Sequence, residues 1–305
     1  MFRFVLRRLL EAVPVLFVVA TATFFLARFA PGGPFDEARP LPPEVKAQMD
    51  AHYGLDKPLG VQYVRFLGNL ARGDFGPSYK YHGWSVNELI ADRVPASLAL
   101  GGGALAIALA LGIPLGCVAS IKPDSWLDRL PTGIATLGIC LPTFVIGPLL
   151  VLIFSVWLGW FNASGWNVPS DFVLPSLTLG LVYAAPVARL MRASMLEVRG
   201  ADYMKTARAK GLSPLRVYFV HGLRNALIPV VSYVAPTAAG LISGSFVVES
   251  MFNVPGLGQF FVKAAFNRDF TMIVGTVMFY AVVLVGLNLL GEIVLAKLNP
   301  RVRLD

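Results

Sequence analysis

The side chains able to carry chemistry in this 305-residue chain are few and far apart. Its histidines are His52, His82 and His221, and no His-Glu-x-x-His pair sets two imidazoles on one helix face around a base. The only cysteines, Cys117 and Cys140, fall inside long apolar runs, so neither a disulfide framework nor a clustered metal site follows from them. Glu11 and Glu292 lie near the ends of apolar runs, where water reaches them, and no pair of carboxylates inside such a run offers acid–base work. A Gly-x-x-x-x-Gly-Lys-Ser/Thr loop is absent, so any ATP used must be hydrolysed by another chain. What the chain does offer is concentrated charge. From Arg189 to Arg224 it carries Arg192, Arg199, Lys205, Arg208, Lys210 and Arg216, against Glu197 and Asp202 alone as acids. Such a segment seeks an acidic partner, an anionic membrane or nucleic acid.

Local signals organise this segment. The stretch Asp202-Tyr203-Met204-Lys205-Thr206-Ala207-Arg208-Ala209-Lys210 has an acidic start and a basic end, which complements a helix dipole, and Gly211 is placed to close the helix in the left-handed conformation. Ser213-Pro214 then opens another helix, with Ser213 as N-cap and Pro214 at the first helical position. The product is a compact helix-turn-helix. A basic helix-turn-helix is also a device for reading DNA, but this one is tethered between apolar runs on both sides. A short helix held so close to a membrane bundle suits a different task, that of carrying displacement between a partner and the spans.

The elements that must hold the hairpin are read from composition. With 56% hydrophobic and 14% charged residues and a mean hydropathy of +0.65, the chain is too apolar for two soluble domains and fits a single lipid-embedded one. A membrane span needs about 20 apolar residues. Six windows approach that length: Leu9 to Phe29, Ser97 to Ile121, Leu130 to Leu158, Phe172 to Ala188, Ala226 to Val248 and Met272 to Gly291. The basic head Arg3, Arg7, Arg8 before the first window imitates a signal peptide, but the run is longer than a signal core and its end at Ala27-Arg28-Phe29-Ala30 lacks a cleavage pattern. The expected fold is therefore all-α and polytopic, with six transmembrane helices.

Lys and Arg set the expected orientation, because short cytoplasmic segments retain them. Placing the N-terminus inside gathers most of the basic residues on that side, including Lys122, Arg129, the whole hairpin, and Lys297, Arg301 and Arg303. Both termini are then cytoplasmic. The chain divides into 1–30, the N-terminus and first span; 31–94, an extracytoplasmic helical segment; and 95–305, a core of five spans with a cytoplasmic loop at 189–225. In the outer segment Leu41-Pro42-Pro43-Glu44 opens a helix ending at Gly54. Asp56-Lys57-Pro58 opens a second with Val61, Val64, Leu67 and Leu70 as its apolar face, and Ser85-Val86-Asn87-Glu88 is a capping box opening a third. Prolines 142, 148, 175, 186, 229 and 236, with Gly101-Gly102-Gly103, Gly240 and Gly244, interrupt the spans. Such breaks are tolerated where neighbouring helices or a wet cavity satisfy the freed backbone.

The stretch from Tyr203 to Leu212 with His221-Gly222-Leu223-Arg224-Asn225-Ala226-Leu227-Ile228-Pro229 resembles the EAA loop of binding-protein-dependent ABC permeases. Ala207, Gly211 and Leu223 match the general pattern, whereas Lys205, Thr206, His221 and Arg224 depart from it; the form Thr206-Ala207-Arg208-Ala209-Lys210-Gly211 resembles the oligopeptide and dipeptide permeases. Two further stretches are similar to that branch: Tyr53-Gly54-Leu55-Asp56-Lys57-Pro58 with Gly73-Asp74-Phe75-Gly76-Pro77-Ser78, and Glu249-Ser250-Met251-Phe252-Asn253-Val254-Pro255-Gly256-Leu257-Gly258. The resemblance covers essentially the whole chain and points to the B-type subunit of oligopeptide and dipeptide systems. It implies a type I ABC importer permease fold in the bacterial inner membrane. The implied partners are a homologous C-type permease, two cytoplasmic ATPases that bind ATP and Mg, an extracytoplasmic peptide-binding protein, the peptide and the bilayer, with no nucleic acid and no cofactor in this chain. It further implies that Tyr203, Lys205, Thr206, Ala207, Arg208, Lys210 and Gly211 make the ATPase-coupling contact, with Ala207 and Gly211 expected at its centre. Dipeptides, nickel chelates or glutathione are alternative cargoes. An ion-driven secondary transporter is the rival class, for which the chain lacks clear internal repeats and intramembrane ion-binding groups.

Overall fold

The computed structural model describes residues 2–30, 32–35 and 42–298; Leu41, Arg301 and Arg303 lie outside the described residues. The described chain is helical almost throughout. Its elements are α1 (Phe2–Phe29), α2 (Pro43–Tyr53), α3 (Leu59–Leu70), α4 (Val86–Ile121), α5 (Trp126–Cys140), α6 (Thr143–Leu150, extended by a π turn Val151–Trp157), α7 (Val173–Arg199), α8 (Asp202–Ala209), α9 (Pro214–Arg216, then a π turn Val217–Gly222), α10 (Leu223–Ile242), α11 (Phe246–Phe252), α12 (Leu257–Phe266) and α13 (Phe270–Leu298).

Five stretches are long and apolar enough to cross a bilayer, and α5 with α6 make a sixth candidate when the bent pair is counted as one span. The third expected span is thus not one rod. It bends by 105° where Leu141 leaves helical geometry ahead of Pro142, because a proline excludes its predecessor from the α region. The capping box at Ser85 forms as expected, the Glu88 N–H bonding Ser85 Oγ at 3.2 Å and Glu88 Oε2 accepting from the Ser85 N–H at 2.9 Å. The helix it opens is not a separate outer element, however: it continues as the 36-residue α4 and becomes the second span. The fourth span likewise runs on through Arg199, and the fifth stops at Ile242 rather than Val248, the chain turning at Gly244 with φ +87°.

The bundle is assembled on the α4–α7 crossing. Gly112 and Gly116 stand one turn apart on α4, and a Cβ at Gly116 would lie 2.4 Å from the Ala188 carbonyl oxygen and 2.6 Å from the Met191 Cβ. At Gly112 it would lie 2.7 Å from the Ala184 carbonyl oxygen. Gly180 on α7 returns the contact, since its Cβ would lie 2.7 Å from Ile107. In lipid no hydrophobic force drives helices together, so close backbone approach at small residues supplies the attraction. Gly101 makes the same kind of contact with Leu241 and Ile242 of α10. Of the glycines flagged in the sequence as breaks, this one and Gly103, whose Cβ would lie 2.7 Å from Ser176 Oγ, act in packing, whereas Gly102 and Gly240 meet nothing within 4 Å.

The helices α2 and α3 form as expected, α2 closing at Gly54 in the left-handed conformation with φ 67°. The apolar face assigned to α3 holds at Leu70 and is corrected at its valines. Val61 and Val64 are exposed, at 49% and 69%, and the packed side carries Phe66 and Leu70 against α1 and α13. Aromatic contacts decide this, with Phe24 of α1 5.2 Å from Phe66 and 5.3 Å from Tyr63 between ring centres.

Ion pairs and hydrogen bonds fix which helix ends lie together. Arg8 of α1 meets Glu292 of α13 at 2.7 Å, so these two spans run antiparallel. The ends of α4 and α7 and the starts of α5 and α10 meet at the hairpin, as described below. At the opposite end Thr271 of α13 donates to the Pro77 carbonyl at 2.7 Å, close to the start of α4. With the bent pair as one crossing, both described chain ends and the hairpin fall on one face of the bundle.

Gly116→Val should destabilise the detergent-solubilised protein by about 1–3 kcal/mol through overpacking, read as a lowered unfolding midpoint. Gly133→Val, with nothing within 4 Å of its site, should leave the midpoint unchanged.

Candidate functional site

The hairpin between α7 and α10 is built by local chemistry. Asp202 sits in the first turn of α8 and Arg208 in the last, and Lys205 Nζ lies 2.9 Å from Asp202 Oδ1. The helix stops at Lys210, and Gly211 follows with φ +79° in open space. Conformation alone therefore demands glycine there, since an L side chain would carry the left-handed penalty. Ser213 Oγ accepts from the Arg216 N–H at 3.4 Å and Pro214 takes the first helical position, both as the sequence predicts.

One face of α8 is used inside the protein. Met204, Ala207 and Val217 are buried together, with Val198, Ala201 and Leu212 around them. Met204 also reaches Gly222, whose Cβ would lie 3.2 Å from the methionine Cε. The other face is free: Tyr203, Lys205, Thr206, Arg208, Lys210 and Gly211 are exposed. Six of the seven predicted contact residues thus share an outer surface. The seventh does not. Ala207 is only 8% exposed and belongs to the hairpin's own core, where its small side chain lets α8 approach Val217. The expectation that it forms the centre of an outward contact is corrected to this packing role.

The hairpin is fastened to three spans by residues that sequence reading did not single out. Tyr218 donates its hydroxyl to the Cys117 carbonyl of α4 at 2.6 Å and is hydrogen-bonded to Ser120. Arg199, the last residue of α7, donates to the Ile121 carbonyl at 3.1 Å. Asp128, 4% exposed, receives Arg192 in a bidentate pair at 2.5 and 2.6 Å, joining the start of α5 to α7. Such two-pronged guanidinium–carboxylate contacts fix orientation as well as distance. In the sequence Arg192 and Arg199 counted only as charges. Tyr218 carries no local signal at all, because its partners lie roughly a hundred positions away on α4. The π turn from Val217 to Gly222 makes the connection continuous with α10. The hairpin is thus continuous with α7 and α10 and hydrogen-bonded to α4.

The opposite end has its own lock. Glu249, fully buried, accepts from the Gln259 N–H at 2.8 Å and from Ser97 Oγ of α4 at 3.4 Å, while Ser97 Oγ accepts from the Leu257 N–H at 2.8 Å. The carboxylate thus caps the first turn of α12. It fills the space above Gly244, Gly256 and Gly258: a Cβ on Gly244 or Gly256 would lie 2.4 Å from its carboxyl group, and one on Gly258 3.1 Å. The glycines of the Glu249–Gly258 stretch are there to make room for this acid.

Comparison with known proteins agrees with this architecture. A family model described as binding-protein-dependent transport system inner membrane component matches residues 112–304, and the model of the N-terminal part of such membrane components matches residues 1–101. The chain is 44% identical over 305 residues, 99% of its length and all of the relative's, to the oligopeptide transport system permease protein OppB of Haemophilus influenzae. It is 42% identical to OppB of Escherichia coli K12 over 99% of this chain and 100% of that one. It is 39% identical to the dipeptide transport system permease protein DppB of Bacillus subtilis over 100% of this chain and 99% of that one. Among solved structures, an inward-facing MetNI methionine ABC transporter chain superposes with a TM-score of 0.59 at 17% identity, over 69% of this chain and 96% of that one. That likeness is one of fold, and it is the ABC importer permease fold expected from the sequence. The chain belongs to the family of binding-protein-dependent transport system inner membrane components.

Proposed function

We propose that this chain is a transmembrane permease subunit of an ATP-driven oligopeptide importer, contributing half of the translocation pathway and taking its power stroke through the hairpin. The observation that carries this reading is the full-length similarity to oligopeptide permeases joined to a hairpin with an exposed basic outer face, continuous with α7 and α10 and hydrogen-bonded to α4. Dipeptides are the second reading for the cargo, favoured by the similarity to DppB over the whole chain.

The hairpin face is cytoplasmic in this proposal, because it gathers the basic residues that short cytoplasmic segments keep. Tyr203, Lys205, Thr206, Arg208, Lys210 and Gly211 make the contact with one of two partner ATPases, which bind ATP and Mg; this chain holds no cofactor and performs no hydrolysis. Ala207 supports that contact from behind. A homologous C-type permease supplies the other half of the pathway, and an extracytoplasmic binding protein delivers peptide to the end marked by the Glu249 lock. The switch needs only a bundle with two arrangements and a partner that grips them unequally. The residues that touch peptide are left unassigned.

Uptake of labelled tri- to pentapeptides by a deletion strain carrying this gene, with its partner subunits present, tests the cargo. Accumulation that needs ATP supports the proposal, and accumulation driven by an ion gradient with the ATPases deleted defeats it. Gly211→Val forces a β-branched residue into the left-handed region, at a cost of about 1–2 kcal/mol, and should leave insertion normal while peptide delivered per ATP falls severalfold. Tyr218→Phe removes hydrogen bonds worth about 0.5–1.5 kcal/mol each and keeps the ring. In proteoliposomes it should retain ATP hydrolysis and lower the transport-to-hydrolysis ratio, an unchanged ratio showing that the tie carries no stroke.

A further inference from the structure

At the end of the bundle away from the hairpin lies a cavity of about 320 Å³, walled by the last turns of α1, the packed side of α3, the 74–79 segment and the start of α13. Its polar groups are incompletely used. Arg28 stands over the rings of Phe24 at 5.5 Å and Phe270 at 6.0 Å, and its Nη2 is 3.4 Å from the Tyr79 hydroxyl. Burial pushes the Tyr79 phenol up, so it meets the guanidinium as a neutral hydroxyl. Neither Arg28 nor Arg65, across the cavity wall, has a carboxylate partner among the described residues. Gln62 spends its amide N–H groups on the Leu55 and Lys57 carbonyls at 3.1 and 2.8 Å, which leaves Oε1 buried without a donor. Asp74 accepts from the Gly76 N–H at 2.8 Å and has no cation beside it among the described residues.

Two guanidiniums and, with them, a carboxylate and an unfilled carbonyl oxygen are complementary to a compact zwitterion, an acidic group joined to an amine that can donate. Location selects its source. The cavity lies at the bilayer boundary, where α1 ends and α13 begins, and at the edge of the bundle, because α1 packs chiefly on α13 and is remote from the α4–α7–α10 core. The neighbouring surface of α3 presents exposed Val61 and Val64 beside Arg65, the pattern of a helix lying in the membrane interface. A translocated peptide would pass through the core; a lipid is present at this edge at high concentration. We propose that the cavity seats the headgroup of an aminophospholipid, its phosphate diester on Arg28 and Arg65 and its primary amine on Asp74 and Gln62 Oε1.

Native mass spectrometry of the intact transporter complex, extracted in mild detergent and exchanged against dioleoyl-phosphatidylethanolamine, -phosphatidylcholine or -phosphatidylglycerol, tests this. Retention of phosphatidylethanolamine over the other two is expected. Arg65→Glu, at an exposed residue, should cut that retention about tenfold, as the loss of one charge-assisted contact does. Asp74→Asn keeps an acceptor for the Gly76 N–H and should shift the preference severalfold toward phosphatidylglycerol. Equal retention of all three lipids, no retained lipid in the unmodified complex, or displacement of the lipid by millimolar trialanine, which would mark a cargo site, each overturns the assignment. The coupling role of the hairpin does not depend on the outcome.

Discussion

Everything in this protein hangs on the contact between α4 and α7, where Gly112 and Gly116 lie against the backbone of Ala184 and Ala188. A bilayer offers the backbone no water and offers apolar side chains no reason to leave lipid. Helices that must hold a fixed relation there have to touch at short range, and only glycine and alanine permit it. The remaining spans join this pair at small residues, as Gly101 shows against α10. They are secured by polar bonds at the two ends, where water or neighbouring chain makes such groups tolerable.

Those end bonds give the bundle its mechanical character. At the hairpin face the Asp128–Arg192 pair ties α5 to α7, the Arg199–Ile121 bond ties α7 to α4, and the Tyr218 hydroxyl ties the π turn after α9 to α4. At the other face Glu249 and Ser97 bind the α11–α12 turn to the beginning of α4. Because α4 is one uninterrupted 36-residue helix, it connects the two sets. The α4 helix thus joins the hairpin face and the Glu249 lock through one continuous element.

The legible part of the sequence was the part governed by local rules. Gly211, Ser213 and Pro214 announced the hairpin because turn and cap chemistry is confined to a few residues, and Gly54 and Ser85 announced their helix boundaries in the same way. Apolar runs located the five long spans and the bent α5–α6 pair but not their shapes. The bend at Leu141-Pro142 and the fusion of the Ser85 helix with the second span depend on how neighbours accommodate a proline, Pro142 breaking its helix while Pro95 is carried within α4. The valines of α3 misled because, beside a membrane, an apolar stripe can face lipid as readily as protein. Ala207 misled for a related reason: smallness serves a buried crossing as well as an outer contact. The ties through Tyr218 and Glu249 were hidden because each joins residues far apart in the chain, and no spacing rule links them.

The direct test of the hairpin as the linkage is site-specific photo-crosslinking in right-side-out and inverted membrane vesicles containing the whole transporter. A photoreactive residue at Thr206, on the outer face of α8, is expected to capture a P-loop ATPase subunit. One at Ala207, turned into the hairpin core, is expected to capture none. Failure of position 206 to reach any ATPase, or its labelling only by reagents confined to the extracytoplasmic side, would contradict the coupling role and the orientation together.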